Sequence, residues 1–361
     1  MRDMRRLAAL TIAFKDAAHR ENKALSSEDI LHCTHFEYLE CAVEELSTRS
    51  DANGELKAGT KLALGYMLKT TAKVMKGKYL IEDQDEKARD VDNFTTVLNL
   101  KWGDLFGDAE CQVVTNRQER LRQPAHLPND GDVDKIRGYT MSSIADLCAQ
   151  QEYVFWTSSE FIQLRDLLVS RLTLFNARRG GEPCRLLMKE WEDAENDVWL
   201  PADSVERIDD PAMKVLVGMF KLAYQAGKGS QHLVSLLIPN DCITGMRILT
   251  NTEVRRNAGV AESNTYVFAS TQNSSDHVSG WHATSNICKK VGVKSVTATD
   301  MRHRVSTYYA SLEVPECDRK HFYNHLGHSA NINANVYQCP PAVAALTKVG
   351  KHLNDLDTHG M

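Results

Sequence analysis

Long apolar runs are missing from this 361-residue chain. None reaches the roughly 20 residues that a helix needs to cross a bilayer, so no membrane span is expected. The nine cysteines include no Cys-x-x-Cys pair and are odd in number. That excludes a disulfide framework and fits reduced thiols in a cytosolic or nuclear protein. The nearest approach to a metal-ligand cluster is His32, Cys33, His35 and Cys41, whose spacing matches no standard zinc site. An excess of positive charge is missing as well: 43 Lys and Arg face 48 Asp and Glu, a formal net charge of −5. Affinity for DNA comes largely from cations that displace counterions, so the overall balance argues mildly against a nucleic-acid partner. A local basic surface would suffice, however. Basic residues do cluster at Arg117, Arg120 and Arg122, at Arg255 and Arg256, and at Lys289 and Lys290. Internal repeats and low-complexity tracts are absent.

What is present suits two domains, with 42% hydrophobic and 25% charged residues. Residues 1–122 show helical periodicity only. The basic start followed by Leu7–Ala13 mimics a signal peptide, but the apolar run is short and flows into Phe14-Lys15 without a cleavage site, so a helix near Arg5 to Lys23 is expected. Ser26 to Asp29 has the form of a helix cap. A second helix follows on Ile30, Leu31, Phe36, Leu39, Ala42, Val43 and Leu46, and Asp51 to Gly54 breaks it. A third is expected from Leu56 to Met75 and a fourth from Asp85 to Leu105, together making a small four-helix bundle. Two prolines and a glycine then mark residues 123–132 as a linker.

Residues 133–361 predict a second domain, mainly α with a small antiparallel β-sheet. Helices are expected over Val133–Cys148, Ser158–Phe175, Ser204–Leu222, Asn240–Val254, Gly280–Val291, Thr299–Leu312, Asp318–Leu326 and Pro341–Leu353. Asp197–Leu200 has the pattern of a short strand. Leu222–Gln225, the Gly227-Lys228-Gly229 turn and His232–Pro239 predict a β-hairpin with Lys228 at its tip.

Candidate chemistry lies in this second domain. Arg178-Arg179-Gly180-Gly181-Glu182 offers a guanidinium fork for a phosphate, with Glu182 placed to orient it; a surface arginine pair beside a glycine turn is the plain alternative. Lys228 could protonate a leaving oxygen, or simply occupy a common turn. Arg302, with His303 beside it, lies on an amphipathic helix and could equally form a structural ion pair. His328, after Leu326-Gly327, could bond a phosphate oxygen or assist proton transfer, or merely cap a helix. Tyr337 follows nine residues later, after an Asn-rich turn. Two arginines, a histidine and a late tyrosine suit chemistry on a phosphodiester.

In order and spacing these motifs resemble the tyrosine recombinases, also called the phage-integrase family. Arg179-Gly180-Gly181-Glu182 matches the family's Arg-x-x-Glu, Gly227-Lys228-Gly229 its hairpin lysine, Thr299 to His303 its His-x-x-Arg-His box, Leu326 to Ser329 its Leu-Gly-His-Ser, and Tyr337 its nucleophile. The general form resembles the eukaryotic branch that includes Crypton-type mobile elements and host genes derived from them. The resemblance implies a helical core-binding domain over residues 1–122, a clamp on DNA, and a catalytic domain over residues 133–361. It implies that Arg179 and Arg302 hold the scissile phosphate, that His328 adds a hydrogen bond, that Tyr337 attacks to give a 3′-phosphotyrosyl link, and that Lys228 protonates the leaving 5′-oxygen. No cofactor or metal is implied. The implied partners are double-stranded DNA, contacted through Arg117, Arg120, Arg122, Arg255 and Arg256, and further copies of the chain as a tetramer on DNA. Localisation would be nuclear in a eukaryote and cytoplasmic in a prokaryote.

One position departs from the family. Thr299 stands where the first histidine of His-x-x-Arg is usual. Threonine can hydrogen-bond but cannot act as a base near neutral pH, so His303 or His282 would have to substitute. Two readings therefore stand side by side: an active site-specific recombinase, and a DNA-binding protein derived from one that has lost turnover. A topoisomerase that nicks by the same chemistry is a third.

Overall fold

The computed structural model describes residues 2–48, 56–122, 127–149, 156–227, 233–312, 314–340 and 342–359. The expected break at Asp51–Gly54, part of the proline-containing linker and Lys228 lie outside them. The architecture is mainly α with one two-stranded antiparallel sheet. The chain divides into two compact units, residues 1–120 and 121–361.

The first unit contains α1 (Arg2–His19), α2 (Phe36–Ser47), α3 (Ala58–Ile81), α4 (Asp85–Leu100) and α5 (Trp102–Leu121). Four helices were expected. The fourth instead ends at Lys101, and α5 begins at once, carrying the basic residues of its last turn outside the expected range. The expected start of the second helix is also corrected. Asp29–Leu31 and Cys33–His35 form single 3₁₀ turns, and the α-helix begins only at Phe36. Leu10, Phe14, Leu39, Leu68, Phe94 and Phe106 are fully buried and make the core. Each such side chain contributes about 1.5–3 kcal/mol relative to exposure. No described helix is long and apolar enough to cross a membrane. Among the described residues no group of three or more His, Cys, Asp or Glu is placed to hold a metal ion.

The second unit is built on α7 (Ser158–Phe175). Thr157 and Glu160 close a reciprocal capping box at its start, which satisfies two backbone donors. Phe161, Leu164, Leu167, Leu168, Val169 and Leu172 are fully buried, so apolar side chains surround the helix rather than striping one face. Packed against it are α6 (Asp130–Ala149), α11 (Asn240–Thr250), α13 (Gly280–Lys290) and α14 (Ala298–Ser311). Asp130 to Asp132, expected in the linker, instead open α6, where Asn129 Oδ1 accepts from the Asp132 amide at 2.7 Å.

The strands β1 (Phe220–Ala226) and β2 (Leu233–Pro239) pair antiparallel, with Ala223 opposite Leu236. Along β2 the alternation buries Val234, Leu236 and Ile238, the period-two pattern of a strand with one face on a core. Asp197–Leu200, expected as a strand, is a turn after α8 (Met188–Glu195). The single helix expected over Ser204–Leu222 is two short ones, α9 (Ala202–Glu206) and α10 (Pro211–Val217), because Pro211 fits only the start of a helix. Likewise Asn251 ends α11 and caps α12 (Thr252–Asn257) by accepting from two backbone amides. After α14 come α15 (Glu316–Leu326) and α16 (Ala330–Ile332). Asn333–Tyr337 forms a π-helical turn, and α17 (Ala342–Ala344), a second π-helical turn and α18 (Gly350–His359) close the described chain.

Candidate active site

The C-terminal end of α7 fixes the first wall of the site. Asn176 donates from Nδ2 to the carbonyls of Leu172 and Leu237, and its Oδ1 accepts from the Leu237 amide at 2.9 Å. One side chain thus ends the helix and ties it to β2. The chain then turns through Ala177, at φ +47, into the arginine pair.

The two arginines differ sharply. Arg179 is 40% exposed, and its Nη1 lies 3.3 Å from Glu182 Oε1. Arg178 is fully buried, with Nε 2.9 Å from Glu182 Oε2. Glu182, itself 1% exposed, therefore serves both and also accepts from the Arg179 amide at 3.2 Å. Burial draws the Arg178 guanidinium below its ordinary value, and Glu182 acts in the opposite direction. Its planar fork retains the charge nonetheless. Arg178 carried no role in the sequence reading. Its adjacency to Arg179 was visible, but only the fold shows that it points inward.

Arg302 comes from α14, where Thr297 and Asp300 form a capping box. It is 1% exposed, and its Nη2 donates to the carbonyl of Leu326 at 2.8 Å. That bond attaches α14 to the Leu326-Gly327-His328 turn. Gly327 adopts φ +68 at the end of α15, a conformation that favours glycine. A side chain there would begin 3.6 Å from both terminal nitrogens of Arg178. His325, another residue the sequence reading did not single out, bridges the carbonyl of Asn176 and the hydroxyl of Ser235, each at 3.1 Å. It locks α15 onto the α7 terminus and β2. Burial and Arg178 hold its pKa low.

Tyr337 sits where these elements meet. The Cys339 amide donates to Thr307 Oγ1 at 2.9 Å and anchors the segment to α14. The Arg302 guanidinium lies 4.8 Å from the centre of the Tyr337 ring. The His328 ring stacks on it at 5.1 Å and 17°. His303 lies 5.2 Å away on a tilted plane, and its Nδ1 donates to the Tyr337 carbonyl at 2.9 Å. Burial, with Arg302 next, pushes the His328 pKa down to about 4. At pH 7 this imidazole is neutral. Its Nδ1 lies 3.4 Å from the Ser329 carbonyl oxygen, which can only accept. Nε2 is buried and has no hydrogen-bond partner.

The structure therefore brings Arg302, His303, His328 and Tyr337 together, with Arg179 and Glu182 joined to the same framework through Arg178. It does not bring Thr299 among them: Thr299 is exposed at the start of α14 and lines a separate cavity. His282 is exposed on α13 and packs against Trp281. Lys228 lies outside the described residues. Of the expected DNA contacts, Arg117, Arg120, Arg122 and Arg256 are exposed, but Arg255 is not. It is 8% exposed and donates to the carbonyls of Leu249, Tyr266 and Asn264. Its donors serve three backbone carbonyls, two of them in buried contacts, so Arg255 is a structural tie rather than a surface cation.

No protein-family model matches the chain, and no curated protein matches it. Among solved structures it is similar to one described as a crystal structure of XerA recombinase, at 14% sequence identity and a TM-score of 0.34. The likeness covers 63% of this chain and 65% of that one. At that TM-score the likeness carries no weight for function, which is read from the geometry of this chain alone.

Proposed function

We propose that residues 121–361 cleave and rejoin DNA strands through Tyr337. The observation that carries this is the surrounding of one phenol by a buried guanidinium and two imidazoles, at 4.8, 5.1 and 5.2 Å from its ring. A guanidinium at this position can hold a phosphate against the phenol, and imidazoles beside the ring are groups of the kind that assist proton transfer. In the proposed reaction the Tyr337 oxygen bonds to phosphorus and the 5′-oxygen leaves, taking a proton from Lys228. Arg179, half exposed, and Arg302 stabilise the charge on the phosphoryl oxygens. The covalent link conserves the phosphodiester, so rejoining is the reverse step.

Exchange between two duplexes requires four cuts, so four copies assembled on DNA are part of this proposal. In it the N-terminal unit adds a second DNA contact, with Arg117 and Arg120 on the last turns of α5 and Arg122 immediately after them. A pool of duplexes with randomised sequence, each carrying a nick that traps the cut strand, tests it. The wild-type chain is expected to form a denaturant-resistant protein–DNA adduct, and Tyr337→Phe to form none. An adduct that persists in Tyr337→Phe refutes the assignment. Salt-dependent binding with no adduct from the wild type refutes catalysis and leaves the DNA-binding reading.

A further inference from the structure

The segments that carry Arg179 and Arg302 both continue into the wall of a cavity of about 550 Å³. Arg179 is followed at once by Gly180 and Gly181 on one side of it, and α14, which carries Arg302, starts on another side at Thr297, Ala298 and Thr299. Among the described residues no arginine or lysine lines the cavity, and Asp276 does. An anion would therefore meet a repelling carboxylate and no counter-charge.

Two accessible side chains on the wall suit a different ligand. Trp281, in the first turn of α13, is 57% exposed, and its ring meets His282 at 4.8 Å. A close approach fixes where it stands. A Cβ at the preceding Gly280 would fall 2.0 Å from the Gly180 carbonyl oxygen, so only glycine lets α13 start against the Arg179 loop. Trp281 is thereby held one residue beyond a tight contact with that loop. Asp276 is exposed, and among the described residues its carboxylate has no hydrogen bond or ion pair. An open indole and a free acceptor on one cavity match an uncharged planar ring that carries an N–H donor. DNA bases are such rings. Each has a π-face for stacking, and adenine, cytosine and guanine carry an exocyclic amine from which a carboxylate accepts. Thymine has no amine, and its one ring N–H stands between two carbonyls that repel a carboxylate.

We propose that this cavity receives one unstacked base of the DNA strand held at Arg179 and Arg302, with Trp281 stacked on its ring and Asp276 accepting from its exocyclic amine. The proposal rests on the reaction proposed for Tyr337 and adds a base readout to it: an amine-bearing base is selected beside the scissile phosphate and thymine is rejected. Drawing a base out of the stack exposes the pairing edge to be read. The hydroxyls of Ser279 and Thr299, both exposed residues on the cavity wall, serve the remaining polar atoms of the ring.

Short single strands of oligo(dA), oligo(dC) and oligo(dT), mixed with the full chain, test the pocket without any cleavage. Oligo(dA) and oligo(dC) are expected to quench the tryptophan fluorescence saturably, and oligo(dT) to bind about tenfold more weakly. Trp281→Phe should remove that quenching while its ring still stacks, and Trp281→Ala should lower the affinity about tenfold. Asp276→Ala should bring the three strands to one affinity. Both side chains are exposed, so these variants should keep the wild-type melting temperature, and a lost preference cannot be explained by damage to the fold. The proposal is overturned if the three strands bind alike, or if Trp281→Phe is quenched as the wild type is. The nicked duplexes of randomised sequence give the second arm. Sequencing the strands trapped on Tyr337 should show thymine depleted about tenfold at one position beside the link, and the depletion should vanish among the strands that Asp276→Ala traps. An adduct without that bias refutes the pocket and leaves the reaction standing. A strand preference without any adduct refutes the reaction and leaves the base site standing.

Discussion

The two units of the chain treat charge in opposite ways. In residues 1–120 the described core is almost wholly apolar, and Lys61 is the one charged side chain among its buried residues, with its partner Asp108 half exposed. In residues 121–361 the buried set includes Arg165, Arg178, Glu182, Arg255, Arg302 and His303. Burying a charge costs several kcal/mol unless it is paired and bonded, and even a good pair often gains nothing over an apolar replacement. The first unit shows that this chain builds a core without that cost. The second accepts it at one place above all, where Arg178, Glu182 and Arg302 surround the Leu326-Gly327-His328 turn and Tyr337. Such an arrangement stabilises poorly and positions well, as the reaction proposed for Tyr337 would require.

Substitutions can break this contrast or sharpen it. The largest effect is expected at Glu182→Gln. It leaves Arg178 buried without its counter-charge and should cost about 3–5 kcal/mol in chemical denaturation. A loss below 1 kcal/mol would mean that the buried pair is not what holds the loop. Arg255→Ala comes next, with a loss of about 2–3 kcal/mol, because three carbonyls lose their donors. Its neighbour Arg256→Ala should change stability by less than about 0.5 kcal/mol, since that side chain is exposed. If DNA affinity falls in Arg256→Ala and holds in folded Arg255 variants, the two adjacent arginines have separate duties as the structure places them.

Acid provides a gentler probe. The folded pKa of His328 lies near 4, below its unfolded value of about 6.5, and that of His325 is lowered too. Between those limits the unfolded chain binds more protons than the folded one, so stability is full above about pH 6.5 and falls as the pH drops toward 4. Hydrogen exchange at pH 7 and pH 5 should show protection lost around α15 and the Tyr337 turn, and His328→Gln should remove part of that loss. Among the buried charges the smallest effect is expected at Lys61→Met in the first unit. Its partner is half exposed, so the change should stay within about 1 kcal/mol. A loss like that of Glu182→Gln would erase the distinction between the units.

Much of the fold was legible along the chain because it rests on local chemistry. α7 runs over Ser158–Phe175 as its periodicity predicts, the hairpin strands pair about the expected turn, and α13 to α15 lie within two residues of their expected bounds. Each is marked by caps, spacing or a glycine that acts over a few residues. Misreadings arose where one residue overrode a pattern. Pro211 and Asn251 cut helices that their apolar spacing would have joined, and α5 was absorbed into its predecessor because only Lys101 separates them.

For the site, residue order alone set the kinds of chemistry available: which arginines, histidines and tyrosine could meet, and that Thr299 is not a histidine. Which of them do meet depends on packing. Arg178 and Arg179 are adjacent in sequence, yet one is fully buried and the other 40% exposed. Arg255 and Arg256 divide the same way. Direction at a turn depends on backbone angles and on what packs against them, and some of those partners lie far along the chain, as in the bond from Arg302 toward Ala177. His303 reaches the Tyr337 carbonyl and His325 the Asn176 carbonyl only once the elements that carry them are packed. A sequence carries side-chain chemistry at each position; the direction in which that chemistry points is a property of the packed core.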